Sequence, residues 1–165
     1  MVKQAVVVKV GIADLNTVRP PDVIRTSGLG SCVGVILFDK ISGLAGLAHI
    51  MLPDSALAKN GQFNEAKYAD TSIDKLLSTL MGQGAGKHRL KAKIAGGAQM
   101  FQFAGGQDMM RIGQRNVEAV KKRLGYHRIP ITAEDTGGHS GRTIEFDPQT
   151  GVLTVRTVNR GVQCL

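Results

Sequence analysis

The run Cys32-Val33-Gly34-Val35-Ile36-Leu37-Phe38-Asp39-Lys40-Ile41-Ser42-Gly43-Leu44-Ala45-Gly46-Leu47-Ala48-His49-Ile50-Met51-Leu52-Pro53 decides the fold. Residues 33–38 are almost wholly apolar, residues 39–43 are turn-formers, and residues 44–52 are apolar again up to Pro53. Two apolar runs of strand length around a short turn predict a buried hairpin. Antiparallel pairing about that turn places Cys32 opposite about residue 50, and so beside His49. One strand then begins at a cysteine and the next carries a histidine.

Outward from this hairpin, residues 4–10 are rich in β-branched side chains and predict a strand. Residues 16–22 contain Pro20 and Pro21 and read as a loop. Ala69, Ile73, Leu76, Leu77 and Leu80 recur at helical spacing, and Gly82, Gly84 and Gly86 end that helix. Residues 90–94 alternate apolar and basic, as a half-exposed strand does, and residues 96–101 read as a loop. A second helix is expected over residues 113–124. Lys121, Lys122 and Arg123 lie in its last turn, where the helix dipole favours cations, and Gly125 follows. Residues 129–133 predict a strand. Residues 142–146 and 152–158 flank the turn Asp147-Pro148-Gln149-Thr150-Gly151 and predict a second hairpin. Strands outnumber helices, so the class is α+β, with antiparallel or mixed sheets and two main helices packed on one face.

The 165 residues suit one domain with a sizeable core, and 42% hydrophobic residues is ordinary for a globular chain. Expected here is a single domain over residues 1–165. Net charge is +8, which suits an acidic partner. The basic residues lack interleaved aromatics and no nucleic-acid motif is present, so nucleic acid is not the expected partner. Two cysteines, Cys32 and Cys164, cannot form a dense disulfide framework. The N-terminus lacks a signal-peptide pattern and no apolar run reaches membrane-span length, so the cytoplasm is the expected compartment, without membrane insertion.

Cysteine is a nucleophile as its thiolate, which requires a neighbouring base or cation and room for a substrate. Cys32 is therefore either a small core residue or a nucleophile, and Gly28, Gly30 and Gly34 leave space around it. The backbone N–H groups of Ser31 and Cys32 can face a developing oxyanion if the loop turns there. His49 is either a core histidine bonded to a carbonyl or the base. Thr26 and Ser27 precede the glycines; a threonine oxygen can hold the imidazole in one tautomer, or can simply close a turn. The segment Gly82-Gln83-Gly84-Ala85-Gly86-Lys87-His88 fails as a P-loop, because position 81 is Met81 and position 88 is His88. The glycines of residues 28–34 have the wrong spacing for a dinucleotide fingerprint. His88, His127 and His139 show no metal-ligand spacing with either cysteine. Residues 135–142 form a polar, glycine-rich stretch that is either a connector or a rim to the cleft. The segment Ile112-Gly113-Gln114-Arg115-Asn116 opens the second helix, where capping is the simpler account.

These residues resemble the chemoreceptor glutamine deamidases of chemotaxis, the CheD family. The resemblance runs over most of the chain. It is carried by Thr26 with Gly28-Leu29-Gly30-Ser31-Cys32-Val33, Ala48-His49-Ile50-Met51-Leu52-Pro53, Lys67-Tyr68-Ala69, Gly96-Gly97-Ala98-Gln99-Met100, Ile112-Gly113-Gln114-Arg115-Asn116, Asp135-Thr136-Gly137-Gly138, Gly141-Arg142 and Thr150-Gly151. It departs at Ala95, where a larger residue is expected. The resemblance implies a three-layer α/β/β sandwich and a Cys-His-Thr triad of Cys32, His49 and Thr26. Ser27, Gly30 and Ser31 would lie about the substrate and oxyanion. It also implies conversion of glutamine to glutamate on chemoreceptor cytoplasmic helices, docking on a CheC-type phosphatase, and no cofactor. A non-catalytic adaptor that docks on such a phosphatase is the alternative, followed by another thiol enzyme such as a protease or transglutaminase.

Overall fold

The computed structural model describes residues 4–59, 63–100 and 111–165. Twelve elements frame the site. They are β1 (Val7–Val10), β2 (Leu15–Val18), β3 (Val23–Leu29), β4 (Val33–Asp39), β5 (Leu44–Ile50), α1 (Ala69–Gly82), β6 (Lys91–Gly96), α2 (Ile112–Tyr126), β7 (Ile131–Thr136), β8 (Arg142–Asp147), β9 (Val152–Thr157) and β10 (Gly161–Cys164). The strands form two mixed five-stranded sheets, in the orders β1-β3-β8-β9-β10 and β2-β5-β4-β6-β7.

The unbroken apolar character of β4 has a direct cause. Val33, Val35 and Leu37 point to a core shared with Ile73, Leu76 and Leu80 of α1 and Val120 and Leu124 of α2. Ile36 and Phe38 point the other way, into a core shared with Ile24 of β3, Ile144 and Phe146 of β8, and Leu153 and Val155 of β9. A central strand covered on both faces has no polar side to show. The layers are therefore helices, sheet, sheet: an α+β sandwich of the expected α/β/β kind. The Phe38 and Phe146 rings meet at 5.1 Å between centroids and join the two sheets.

The hairpin pairs one residue away from the expected register. Val33 faces Ile50 and Gly34 faces His49, so Cys32 falls opposite residue 51, not 50. The correction matters, because a one-residue slip moves a side chain to the other face of the sheet. In the observed register His49 shares its face with Gly34 and with Ala45 and Leu47, which belong to the core between the sheets.

Other expectations shift at their edges. The first strand begins at Val7, not at residue 4, and pairs in parallel with β3. The stretch 16–22 is not all loop: Asn16, Thr17 and Val18 belong to β2, an edge strand along β5. Its four residues carry little apolar signal because only Val18 among them is buried. Gly96 closes β6, residues 97–100 are irregular, and position 101 of the expected loop lies outside the described residues. Strands β3 and β10 were not anticipated. β3 is broken by a bulge between Thr26 and Leu29, and all four residues of β10 are exposed. Asp135 and Thr136 end β7 and Arg142 opens β8, so the polar stretch between them is a connector of residues 137–141. No described helix is long and apolar enough to cross a membrane.

Candidate active site

Two strands, one from each sheet, bring Thr26 and His49 together. Thr26 lies on β3, with its side chain among the inter-sheet core residues, and His49 projects from β5 into the same layer. Thr26 Oγ1 is 2.7 Å from His49 Nδ1 and donates its own hydrogen to the Val10 carbonyl of β1 at 2.7 Å. A hydroxyl has one hydrogen to give. With that hydrogen on Val10, Thr26 accepts from His49, so Nδ1 carries the ring proton and Nε2 carries the lone pair. Nε2 is buried with no hydrogen-bond partner among the described residues. A buried ring nitrogen left unpaired is costly unless something else uses it. Burial disfavours the charged ring and lowers the His49 pKa to about 4, so the imidazole is neutral at pH 7.

Cys32 sits in the bend between β3 and β4 and packs against the inter-sheet core, the layer into which His49 projects. It is a free thiol and partly exposed. Burial pushes the thiol pKa up, and its own backbone N–H, turned toward the sulfur, works more weakly in the other direction. At neutral pH Cys32 is therefore a thiol and His49 a neutral imidazole.

The backbone around Cys32 is fixed on its carbonyl side. Ala98 N–H donates to the Gly30 carbonyl at 2.8 Å and Gly97 N–H to the Cys32 carbonyl at 2.8 Å. Asn116 Nδ2 donates to the Ser31 carbonyl at 3.0 Å. Gly96 and Gly97 are required for this approach: both have positive φ, and a side-chain carbon on Gly96 would strike the Cys32 carbonyl. Among the other expected residues, Ser31 and Gly30 are partly exposed beside Cys32, and Ser27 is exposed at the bulge of β3. Met100 lies over Gly30, with Cγ 3.1 Å from where a Gly30 side chain would start.

Sequence reasoning assigned no role to four contributors, Val10, Gly97, Ala98 and Asn116. The Val10 carbonyl enters through a parallel pairing, which local pattern does not encode. Gly97 and Ala98 act through their backbone. Asn116 did leave a signal: it occupies the core stripe of α2 with Gly113, Val120 and Leu124, where a carboxamide is out of place. Of the remaining histidines, His127 is bonded to Asp74 at 2.6 Å and His139 to the Gln99 carbonyl at 3.1 Å.

A family profile described as CheD chemotactic sensory transduction matches residues 51–157. The chain is 66% identical over 155 residues to a protein of Halalkalibacterium halodurans named chemoreceptor glutamine deamidase CheD, covering 94% of this chain and 96% of the relative. It is 56% identical over 158 residues to the Bacillus subtilis protein of the same name, covering 96% and 95%. A probable chemoreceptor glutamine deamidase CheD from Lachnoclostridium phytofermentans is 53% identical over 153 residues, covering 93% and 94%. The profile begins two residues beyond His49, whereas these relatives align along nearly the whole chain, the Cys32 and His49 segments included in that span. On both counts the chain belongs to the CheD family.

Proposed function

We propose that this protein hydrolyses glutamine side chains on the cytoplasmic helices of chemoreceptors to glutamate, with Cys32 as nucleophile, His49 as base and Thr26 as the residue that orients His49. The observation that carries the reading is the lone pair on His49 Nε2, buried without a partner among the described residues in the layer against which Cys32 packs. The names of the relatives supply the substrate class.

The chemistry follows from the resting state. As the sulfur attacks the amide carbon, the Cys32 proton passes to His49 Nε2 and the carbonyl electrons move onto oxygen. Backbone N–H groups of Ser31 and Cys32, with Ser27 and Gly30 lining the approach, steady that oxyanion. The oxyanion collapses, the C–N bond breaks, and the Nε2 proton leaves with the nitrogen as ammonia. Water then gives a proton to Nε2 and attacks the thioester; the C–S bond breaks, glutamate departs, and the proton returns to sulfur. No step in this sequence draws on a cofactor.

The reading also takes residues 1–165 as one catalytic domain, places it in the cytoplasm with its substrate, and gives it a CheC-type phosphatase as a docking partner. Net charge of +8 supports encounter with acidic receptor helices at low salt. The test is intact-mass measurement of a purified receptor cytoplasmic fragment after incubation with the full chain. The expected product gains the mass of amide-to-acid conversion without cleavage or cross-linking, and the gain vanishes with Cys32→Ala and with His49→Ala. An unchanged mass with intact protein would leave the adaptor as the better account.

A further inference from the structure

We propose that Asn116 is a positioning residue that holds the Cys32 loop against the His49 strand. The proposal rests on the deamidase reading above. Asn116 has no accessible surface and lies on the face of α2 that packs against the central sheet. Its Nδ2 donates to the Ser31 carbonyl at 3.0 Å and to the Met51 carbonyl at 3.1 Å. Ser31 directly precedes Cys32, and Met51 follows His49 by two residues.

The position of this amide is informative. The β4–β5 ladder ends at the Val33–Ile50 pair, and beyond it the two chains continue without ladder partners for each other. The two hydrogens of Nδ2 reach one chain each at that opening, where a further rung would stand. Gly30 and Cys32, on either side of Ser31, have their carbonyls held by backbone amides. The Ser31 carbonyl is held by a side chain from a helix on another layer, and the same atom reaches the base strand. The orientation is fixed, because rotating the amide would set its oxygen against two carbonyl oxygens. Asn116 Oδ1 is buried with no partner among the described residues. A leucine would fill this face without that cost, so the two donors are what the position retains. Displacements on the order of 1 Å between reacting groups cost about 10²-fold in rate. A tie between the nucleophile's loop and the base's strand acts on that distance.

Asn116→Asp separates positioning from plain stability. The carboxylate has the shape of the amide but no donor, and it faces two carbonyls. Burial beside those acceptors raises its pKa, and its protonated form regains one donor. For the full chain acting on a receptor cytoplasmic fragment, at a temperature where all variants are folded, kcat of Asn116→Asp is expected to fall about 10- to 100-fold at pH 8 with little change in KM. Relative to wild type, that kcat should recover as pH falls toward 5.5, whereas Asn116→Ala stays low throughout. Asn116→Ser, whose hydroxyl serves one carbonyl, lies between them and replaces Asn116→Asp if the latter does not fold. Active wild type with variants of equal kcat, with a loss confined to KM, or with an Asp variant that tracks Ala at every pH overturns the assignment. A wild-type chain inert toward the fragment overturns the deamidase reading instead.

Discussion

Thr26 and His49 belong to different sheets and meet at 2.7 Å across the layer between them. The threonine hydrogen is committed to Val10, so the contact dictates which imidazole nitrogen keeps its lone pair. Thr26→Val removes the acceptor and leaves a buried N–H unpaired, a loss of about 1–3 kcal/mol in stability. It also frees the ring to adopt the other tautomer, which lowers kcat by about 10²-fold, within the usual range of a general base. Thr26→Ser keeps the oxygen and most of the rate. Equal kcat for Thr26→Val and wild type in an ammonia-release assay would show that the tautomer is set elsewhere.

The resting protonation states predict the pH response. With the His49 pKa lowered to about 4 and that of Cys32 raised, kcat/KM should be flat from about pH 5 to pH 8 and fall as pH drops through about 4. Iodoacetamide should label Cys32 slowly at pH 7, with a midpoint above the ordinary thiol value of about 8.5. Peptide mapping separates Cys32 from the exposed Cys164. Rapid labelling of Cys32 at pH 6 would mean a standing thiolate and contradict the assignment. Stability carries the same sign: between about pH 6.5 and 4 the unfolded chain binds a proton at His49 that the folded chain refuses, so the melting temperature declines as pH falls through that window.

Gly96 is a backbone requirement of the site. Its φ is +113°, and an added carbon meets the Cys32 carbonyl and lies 3.2 Å from Val33 Cα. Neither obstacle is the end of a flexible side chain. Gly96→Ala should cost at least about 2 kcal/mol by urea unfolding, combining strain with a clash. It should also depress kcat beyond the loss of folded protein, because the displaced group is the carbonyl of Cys32, the proposed nucleophile. Wild-type kcat in the folded fraction would refute this.

Asp39 offers the contrasting case at the turn end of the same hairpin. Its carboxylate is inaccessible, accepts from Gly86 N–H at 2.9 Å, and is bonded by Arg89 at 2.9 Å. The Arg89 guanidinium and the Gly86 and Ser42 amides outweigh burial and hold its pKa well below the usual carboxylate range. Its contribution is present above the unfolded value of about 3.9 and is lost as pH falls below it. Asp39→Ala should cost about 3 kcal/mol in chemical denaturation. Five residues of β5 separate the turn from His49, roughly 16 Å of strand, so kcat per folded molecule should not change. A kcat loss in the folded protein would show that the turn is coupled to the site.

Much of this was legible in the chain. The apolar runs of residues 33–38 and 44–52 give the central hairpin because both faces of those strands are covered. The stripe from Ala69 to Leu80 gives α1 because one face of that helix is covered. The second hairpin is marked by Asp147 to Gly151. Cys32 and His49 stood out as reactive types in apolar surroundings. The register was missed by one residue, since turn residues leave the pairing free by about that amount. The β1–β3 pairing and β10 were missed because parallel partners and exposed edge strands leave little periodicity. Thr26 could be named, but its double hydrogen bond could not, because the Val10 carbonyl reaches it only through the tertiary fold.

The offset of the central hairpin has a further implication for how this chain can go wrong. Shifted by a single step, β5 would still set six apolar residues out of seven against apolar neighbours, yet the imidazole would turn under the helices, away from the thiol. Such a conformer would keep near-native far-ultraviolet dichroism and size while being dead. Preparations that pass those checks should therefore be graded by turnover per mole of folded protein, where a misthreaded fraction shows first.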